Sequence, residues 1–130
     1  MTGLENALVL EPASGQFWTT NRELHRRMFL GDVHGGTLVF PRQFFAEGLL
    51  YPEVSLAEDA RLLQSALQRG KRLLRLSNPG VFVYMRHGRN AWKECTPGRF
   101  LNPTGWERVT RPSTIPASVL SSYRAAIAGM

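Results

Sequence analysis

The spacing of apolar residues predicts one strongly amphipathic helix over residues 55–70. Its apolar face repeats at intervals of three and four, which is the period of an α-helix. The face consists of Leu56, Ala60, Leu63 and Leu67. The run Ser55-Leu56-Ala57-Glu58 matches a capping box, in which the serine and glutamate side chains satisfy free amides at the helix start. Gly70 is a suitable stop, because glycine readily takes the left-handed conformation that ends many helices.

Shorter runs predict the other elements. Strands are expected at residues 7–10, 16–19, 37–40, 72–76 and 81–85, with the run at 37–40 buried. Further helices are expected at residues 22–28, 41–46 and 117–128, and turns at 11–15 and 78–80. Residues 86–116 show no periodicity and are expected to form a loop. Because strands and helices alternate, the pattern predicts an α/β or α+β layer arrangement rather than a helical bundle.

Composition limits the possible partners and locations. A chain of 130 residues fits one domain, and its net charge of +6 favours anionic partners such as nucleotide phosphates, nucleic acid or a membrane surface. Many globular domains are this basic for no specific reason. Cys95 is the only cysteine, which excludes an internal disulfide. No apolar run approaches the roughly 20 residues that cross a bilayer, so we expect a cytoplasmic protein, with peripheral contact at the inner membrane face left open.

The first candidate site is the glycine-rich segment at His34-Gly35-Gly36-Thr37. Paired glycines let the backbone approach a ligand closely, since no Cβ intervenes. The segment lacks the lysine of a phosphate-binding P-loop and the third glycine of a dinucleotide fingerprint. On spacing alone, a tight turn that leads into a strand is the favoured explanation.

The second candidate is the acidic pair Glu58-Asp59 at the head of the amphipathic helix. Glu58 is explained by the capping box, whereas Asp59 is not. The helix dipole favours an ionised carboxylate in the first turn, and such a group could accept a proton from a substrate hydroxyl. The alternative is that both acids only stabilise the helix start.

The third candidate is a basic and aromatic segment after the strand expected at 81–85. Its residues are Arg86, His87, Arg89, Asn90 and Trp92. Histidine can bind a divalent metal, arginine can neutralise phosphate, and tryptophan can stack on a sugar or base. The segment also fits nucleic-acid binding, or a solvated loop with one anchoring tryptophan.

Taken in order, "GDVHGGTLVF", "YPEVSLAEDARLLQSALQRG" and "VYMRHGRNAW" resemble the carboxyl-terminal part of family 2 glycosyltransferases of the GT-A fold. The resemblance covers about residues 32–92. It implies an α/β fold with a partial GT-A-like mixed sheet flanked by helices, representing only the second half of that fold. Residues 1–116 would form the glycosyltransferase-like domain, and residues 117–130 a C-terminal helix or tail.

The resemblance also implies roles for the candidate residues. Asp59 would be the general base that deprotonates an acceptor hydroxyl as it attacks the anomeric carbon of a nucleotide sugar, and Glu58 would shape the same pocket. His87 would complete the coordination of Mn²⁺ or Mg²⁺, or contact the diphosphate. The acceptor and donor-sugar site would be lined by His34, Gly35, Gly36 and Thr37, and the nucleotide covered by Arg86, Arg89, Asn90 and Trp92.

One feature of the family is missing from the sequence. The only aspartates are Asp32 and Asp59, so the Asp-x-Asp metal motif that ends the nucleotide-binding half is absent, and too few residues precede Gly31 to hold that half. We therefore expect a fragment, a separately encoded second half or a degenerate remnant, incomplete or inactive alone. Its partners would be a nucleotide sugar, a hydroxyl acceptor and a separate nucleotide-binding half. The first alternative is a non-catalytic module that binds carbohydrate or protein, and the second a small nucleic-acid binder.

Overall fold

A computed structural model describes residues 1–90 and 104–129, and the chain divides into two compact units. The first unit contains Met1–Asn6 and Arg22–Ser77, and the second contains Ala7–Asn21 and Asn78–Met130. Each unit therefore combines two separate segments of the sequence.

Both units contain strands and helices, which confirms the mixed α/β class. The strands are β1 (Thr2–Glu5), β2 (Val9–Glu11), β3 (Gln16–Thr20), β4 (Leu74–Ser77), β5 (Tyr84–Met85) and β6 (Trp106–Val109). The helices are α1 (Arg22–Met28), α2 (Gln43–Ala46), α3 (Glu58–Gln68) and α4 (Ala117–Ala128), with short 3₁₀ turns at Leu30–Asp32 and Gly35–Thr37. None of the helices in the described ranges is long and apolar enough to span a membrane.

The first unit is built on a two-stranded parallel sheet in which β1 lies beside β4, with Thr2 opposite Leu74. β1 was not expected from the sequence, because a four-residue strand at the chain start carries little pattern. The core of this unit is formed by Phe44, Leu49, Leu62 and Ala66, with Met1 and Phe40 packed against it. Helix α3 supplies two of these residues, Leu62 and Ala66, and their packing holds the helix against the core of the first unit.

The predicted capping box at the start of α3 is wrong. The helix begins at Glu58, and Ala57 precedes it with a φ of 61°, in the left-handed region. Because this residue interrupts the helical backbone, Ser55 lies outside the helix and cannot cap it. The free amide of Ala60 instead donates a hydrogen bond to Asp59 Oδ1 at 2.7 Å. The other end is as predicted, since Gly70 follows the helix with a φ of 76°.

The predicted apolar face of α3 is also partly wrong. Leu63 is buried as expected, but Leu56 and Leu67 are exposed, and the other buried positions are Leu62 and Ala66. The sequence contains two overlapping apolar stripes that share Leu63. Packing against the core of the first unit selects the second stripe, because it is the one that faces the buried aromatic and leucine side chains.

Residues 37–40 do not form the buried strand that their β-branched and aromatic composition predicts. A 3₁₀ turn occupies Gly35–Thr37, and only one bridge, between Thr2 and Val39, joins this segment to β1. Val39 is 67% exposed. The Thr37 hydroxyl accepts a hydrogen bond from the Leu4 amide at 2.8 Å, so a side chain takes the place of a ladder bond. Helix α2 follows but begins at Gln43, two residues later than expected.

The second unit contains a four-stranded mixed sheet in the order β5-β2-β3-β6. β2 pairs in parallel with β5 and antiparallel with β3, and β3 pairs antiparallel with β6. Its core is Leu8, Leu10 and Phe17, against which Ile115 and Leu120 pack. Helix α4 has the predicted bounds.

Two predictions in the second unit need correction. Residues 86–116 are not all loop, because β6 pairs with β3 and places Val109 opposite Phe17. The strand expected at 81–85 shrinks to its last two residues. Oδ1 of Asn78 accepts hydrogen bonds from the backbone amides of Gly80, Val81 and Phe82, so these amides turn towards Asn78 instead of a neighbouring strand.

Candidate functional site

In the first unit, the glycine-rich segment and the head of α3 meet directly at Gly35 and Asp59. A Cβ built on Gly35 would lie 2.9 Å from the Asp59 Cβ and closer still to the carboxylate carbon and Oδ2. Real Cβ atoms do not approach other atoms this closely, so only glycine lets the carboxylate occupy this place. The glycine pair predicts a close approach of the backbone to a ligand, and at Gly35 the group that approaches is a side chain of the protein itself.

His34 anchors the segment beside this contact. Its ring is buried, and Nδ1 accepts a hydrogen bond from the Gly36 amide at 3.1 Å, so the proton of the neutral ring resides on Nε2. Burial lowers the pKa of His34 to about 4, against the negative charge of Asp59, which raises it, while His25 lowers it further. His34 is therefore neutral at pH 7 and holds the turn at Gly35–Thr37 as a hydrogen-bond acceptor.

Tyr51 is a further residue of this region, and it is not among the site residues predicted from the sequence. Partial burial raises the pKa of its hydroxyl, and the negative charges of Asp59 and Glu58 raise it further. Tyr51 is the first residue of the second quoted segment, directly before Pro52. An exposed tyrosine next to a proline in a loop carries no periodic signal, and only its position near the acidic pair distinguishes it.

A buried hydrogen bond and a partly exposed ion pair, both to Asp32, support the glycine-rich segment where it faces α1. Asp32 lies in the left-handed region with a φ of 60°, and its Oδ1 is 2.7 Å from His25 Nδ1. Arg22 donates to the other carboxylate oxygen at 2.5 Å. The His25 ring contacts Phe29, with centroids 4.6 Å apart, and Phe29 in turn contacts His34 at 5.0 Å. This chain of contacts links α1 to the glycine-rich segment, and no sequence pattern pointed to His25.

Residues 86–90 of the third candidate segment belong to the second unit, where they form a tight turn after β5. Asn90 closes the turn: its Oδ1 accepts from the His87 amide at 3.0 Å, and its Nδ2 donates to the Met85 carbonyl at 2.9 Å. The Arg89 amide donates to His87 Nδ1 at 3.3 Å, so a metal would have to bind this histidine through Nε2. Arg86 is buried, with its guanidinium 6.0 Å from the Tyr84 ring centroid.

The predicted site residues thus fall into two groups. His34, Gly35, Gly36, Thr37, Glu58 and Asp59 all lie in the first unit, and Arg86, His87, Arg89 and Asn90 all lie in the second. Trp92 lies outside the described residues. Among residues 1–90 and 104–129, no group of three histidine, cysteine, aspartate or glutamate side chains is placed to hold a metal ion. The described residues therefore do not form a complete metal site, and His87 as a metal ligand stays a prediction.

Comparisons with known proteins add no further constraint. No protein-family model matches the chain, and no curated protein and no solved structure matches it. Only the residues at the site and the motifs they form therefore indicate a function for this chain.

Proposed function

We propose that this chain is the acceptor-side half of a glycosyltransferase, which moves a sugar from a nucleotide-sugar donor to a hydroxyl acceptor. The observation that carries the proposal is the packing of the Asp59 carboxylate against the backbone of Gly35. Two motifs that are separated by more than twenty residues in the sequence meet in one place. A general base must be ionised and held in position. The helix start favours the ionised carboxylate, and the turn at Gly35 leaves room for it.

In the proposed reaction, the carboxylate of Asp59 accepts the proton of the acceptor hydroxyl. The hydroxyl oxygen attacks the anomeric carbon of the donor, and the bond between that carbon and the diphosphate oxygen breaks as the new bond forms. The nucleoside diphosphate leaves with the electron pair. Glu58 is exposed in the same helical turn and would shape the acceptor pocket. His34 keeps the turn in place, because its neutral ring accepts a hydrogen bond from the Gly36 amide.

The leaving diphosphate requires positive charge or a metal ion. In this proposal Arg86, Arg89 and Asn90 belong to the segment that covers the nucleotide, together with Trp92, and His87 contacts the diphosphate or a Mn²⁺ or Mg²⁺ ion. The net charge of +6 is consistent with such a site. The GT-A-like character of the fold is part of the same proposal.

The proposal also requires a nucleotide-binding half. The exposed apolar side chains of β4 support this requirement: Leu74 is 59% exposed and Leu76 is 43% exposed. They lie two residues apart and therefore share one face of the strand. Apolar strand faces are normally covered, and a second half that packs on this face would cover it.

The test joins this chain to a nucleotide-binding half that carries an Asp-x-Asp motif and measures sugar transfer from a panel of nucleotide sugars. We expect Asp59→Asn to lower kcat by about 10²- to 10⁴-fold, which is the usual contribution of a general base. The matched control is Glu53→Gln, which neutralises an exposed carboxylate in the preceding loop and should leave transfer unchanged. Full activity of the Asp59→Asn protein would show that another group is the base.

The same material separates the alternative functions. A non-catalytic module would bind carbohydrate or a protein partner without any dependence on Asp59 or on divalent metal. A nucleic-acid binder would lose affinity steeply as the salt concentration rises. Either result, in the absence of transfer by the joined protein, would refute the proposed function.

A further inference from the structure

A cluster of aromatic rings lies on the surface of the first unit. Phe44 is buried in the core, and the Phe40 ring stacks on it with centroids 5.6 Å apart and an angle of 15° between the planes. Phe40 also contacts Phe45, at 5.5 Å, and Tyr51, at 6.3 Å. The rings of Phe45 and Tyr51 are 6.5 Å apart. The cluster is thus fixed to the core at one end and open at the other.

The open end exposes aromatic faces to solvent. Phe45 is 43% exposed and Tyr51 is 44% exposed, although both rings contact other aromatic rings. Phe45 and Tyr51, together with Phe40, are called the aromatic surface below. Large aromatic residues grouped at a protein surface mark binding sites more often than isolated ones do.

The aromatic surface adjoins the acidic pair. Tyr51 is close enough to Asp59 and Glu58 for both charges to raise the pKa of its hydroxyl, after the larger effect of partial burial. The ring of Tyr51 therefore lies within electrostatic range of the carboxylates in the first turn of α3. One ligand class has both complementary parts: a pyranose ring presents C–H groups on one face and hydroxyl groups at its edge.

We propose that the aromatic surface formed by Phe40, Phe45 and Tyr51 binds the pyranose ring of a saccharide acceptor and brings one of its hydroxyls to Asp59. This inference rests on the proposed function and names the class of acceptor. The C–H face of the sugar packs on the negatively charged faces of the aromatic rings. Its edge hydroxyls donate to the nearby carboxylates.

Other occupants fit the region less well. A purely apolar occupant, such as a lipid chain, would remove water from Asp59 without offering it a hydrogen-bond donor, and this is costly for a charged group. An anionic membrane surface would be repelled by two carboxylates at the edge of the aromatic surface. A polyol avoids both penalties, because its hydroxyls replace the water molecules that hydrate the carboxylates.

The test uses the full chain and saturation-transfer NMR with methyl pyranosides of the gluco, galacto, manno and N-acetylgluco series. We expect at least one of them to bind the wild-type protein through one face of its ring. Tyr51→Ala should weaken that binding about tenfold, which corresponds to the loss of one aromatic stacking contact. Tyr51→Phe keeps the ring and should keep most of the affinity.

Tyr123→Ala is the matched control, since it removes a tyrosine of α4 that is also partly exposed. It should bind like the wild type, and thermal unfolding of each variant shows that the fold is kept. Absence of binding by every pyranoside, or equal binding by Tyr51→Ala and wild type, overturns the inference. Binding to phosphatidylcholine vesicles that Tyr51→Ala abolishes also overturns it, because the surface would then contact a membrane.

The result is independent of the test of the general base. If Asp59→Asn abolishes transfer by the joined protein while Tyr51→Ala leaves pyranoside binding intact, the proposed function stands and the acceptor surface is wrong. If Tyr51→Ala weakens pyranoside binding while Asp59→Asn leaves transfer intact, the binding surface stands and the proposed base is wrong.

Discussion

The buried histidine at the glycine-rich segment makes the stability of this protein depend on pH. His34 has a folded-state pKa of about 4, below its ordinary value of 6.5, because burial disfavours the charged ring. The unfolded chain therefore binds a proton more readily than the folded one between these two values. The contribution of the neutral ring to stability is complete above pH 6.5 and is lost progressively as the pH falls towards 4.

The size of this effect follows from the two pKa values. Each unit of difference corresponds to about 1.4 kcal/mol, so protonation of His34 should cost about 3 kcal/mol of unfolding free energy by pH 4. This is a large part of the 5–15 kcal/mol that typically holds a domain together. The pKa of His25 is also lowered by burial, against the opposing influence of Asp32. Protonation of His25 therefore also lowers the stability of the folded protein as the pH falls.

The assay is urea unfolding, followed by circular dichroism, of wild type and His34→Gln at intervals from pH 7.5 to pH 4.5. At pH 7 the variant should be less stable by about 1 kcal/mol, because it weakens the hydrogen bond from the Gly36 amide. As the pH falls, the two curves should converge and then cross, since only the wild type has a ring to protonate at this position and its loss of about 3 kcal/mol exceeds the difference at pH 7. Carboxylates titrate in both proteins, so their effect cancels in the difference.

NMR titration of the histidine ring protons provides the independent measurement. Asp59→Asn removes the negative charge that raises the pKa of His34, so that pKa should fall below about 4 in the variant. Two results would refute the reasoning. One is a His34 signal that titrates near 6.5 in the folded protein, and the other is a pair of stability curves that stay parallel over the whole pH range.

Two further substitutions test the packing. Gly35→Ala should destabilise the protein by about 1–3 kcal/mol, and it should lower transfer by the joined enzyme about 10²-fold, because the new Cβ displaces the Asp59 carboxylate. Gly129→Ala is its control and should change stability by less than about 0.5 kcal/mol, since its Cβ would meet no atom closer than 3.7 Å; equal effects of the two would contradict the contact with Asp59. Asn78→Ala should cost about 1–3 kcal/mol in urea unfolding, because the backbone amides bonded to Oδ1 lose their acceptor, whereas Asn78→Asp should keep most of the stability. Equal loss in both Asn78 variants would show that the acceptor oxygen is not what holds this turn.

The sequence by itself determined the features that depend on neighbouring residues. Helix α4 and helix α1 have the predicted bounds, and Gly70 ends α3 as expected. The turn at residues 12–15 between β2 and β3 and the turn at Asn78 also lie where glycine, proline and asparagine predict them. In each case, local backbone preferences and short-range hydrogen bonds are sufficient to choose the conformation.

Tertiary structure decided where several local solutions compete. Helix α3 carries two apolar stripes. The stripe that contains Leu62 and Ala66 is buried, because it packs against Phe44 and Leu49. The run at residues 37–40 has the composition of a strand. However, the Thr37 hydroxyl accepts from the Leu4 amide and the His34 ring accepts from the Gly36 amide, and a 3₁₀ turn forms where the strand would begin. Strands β1 and β6 are too short to show a pattern and exist because distant partners pair with them.

The same division holds for the candidate site. The order of the motifs pointed to Asp59 and to the glycine pair from the sequence alone, and their proposed roles stay predictions. The direct packing of Asp59 on Gly35, the neutral state of His34 and the position of Tyr51 beside the acidic pair could not be derived from spacing. They depend on how closely segments that are distant in the sequence approach each other, because desolvation and Coulomb interactions are set by distances in three dimensions.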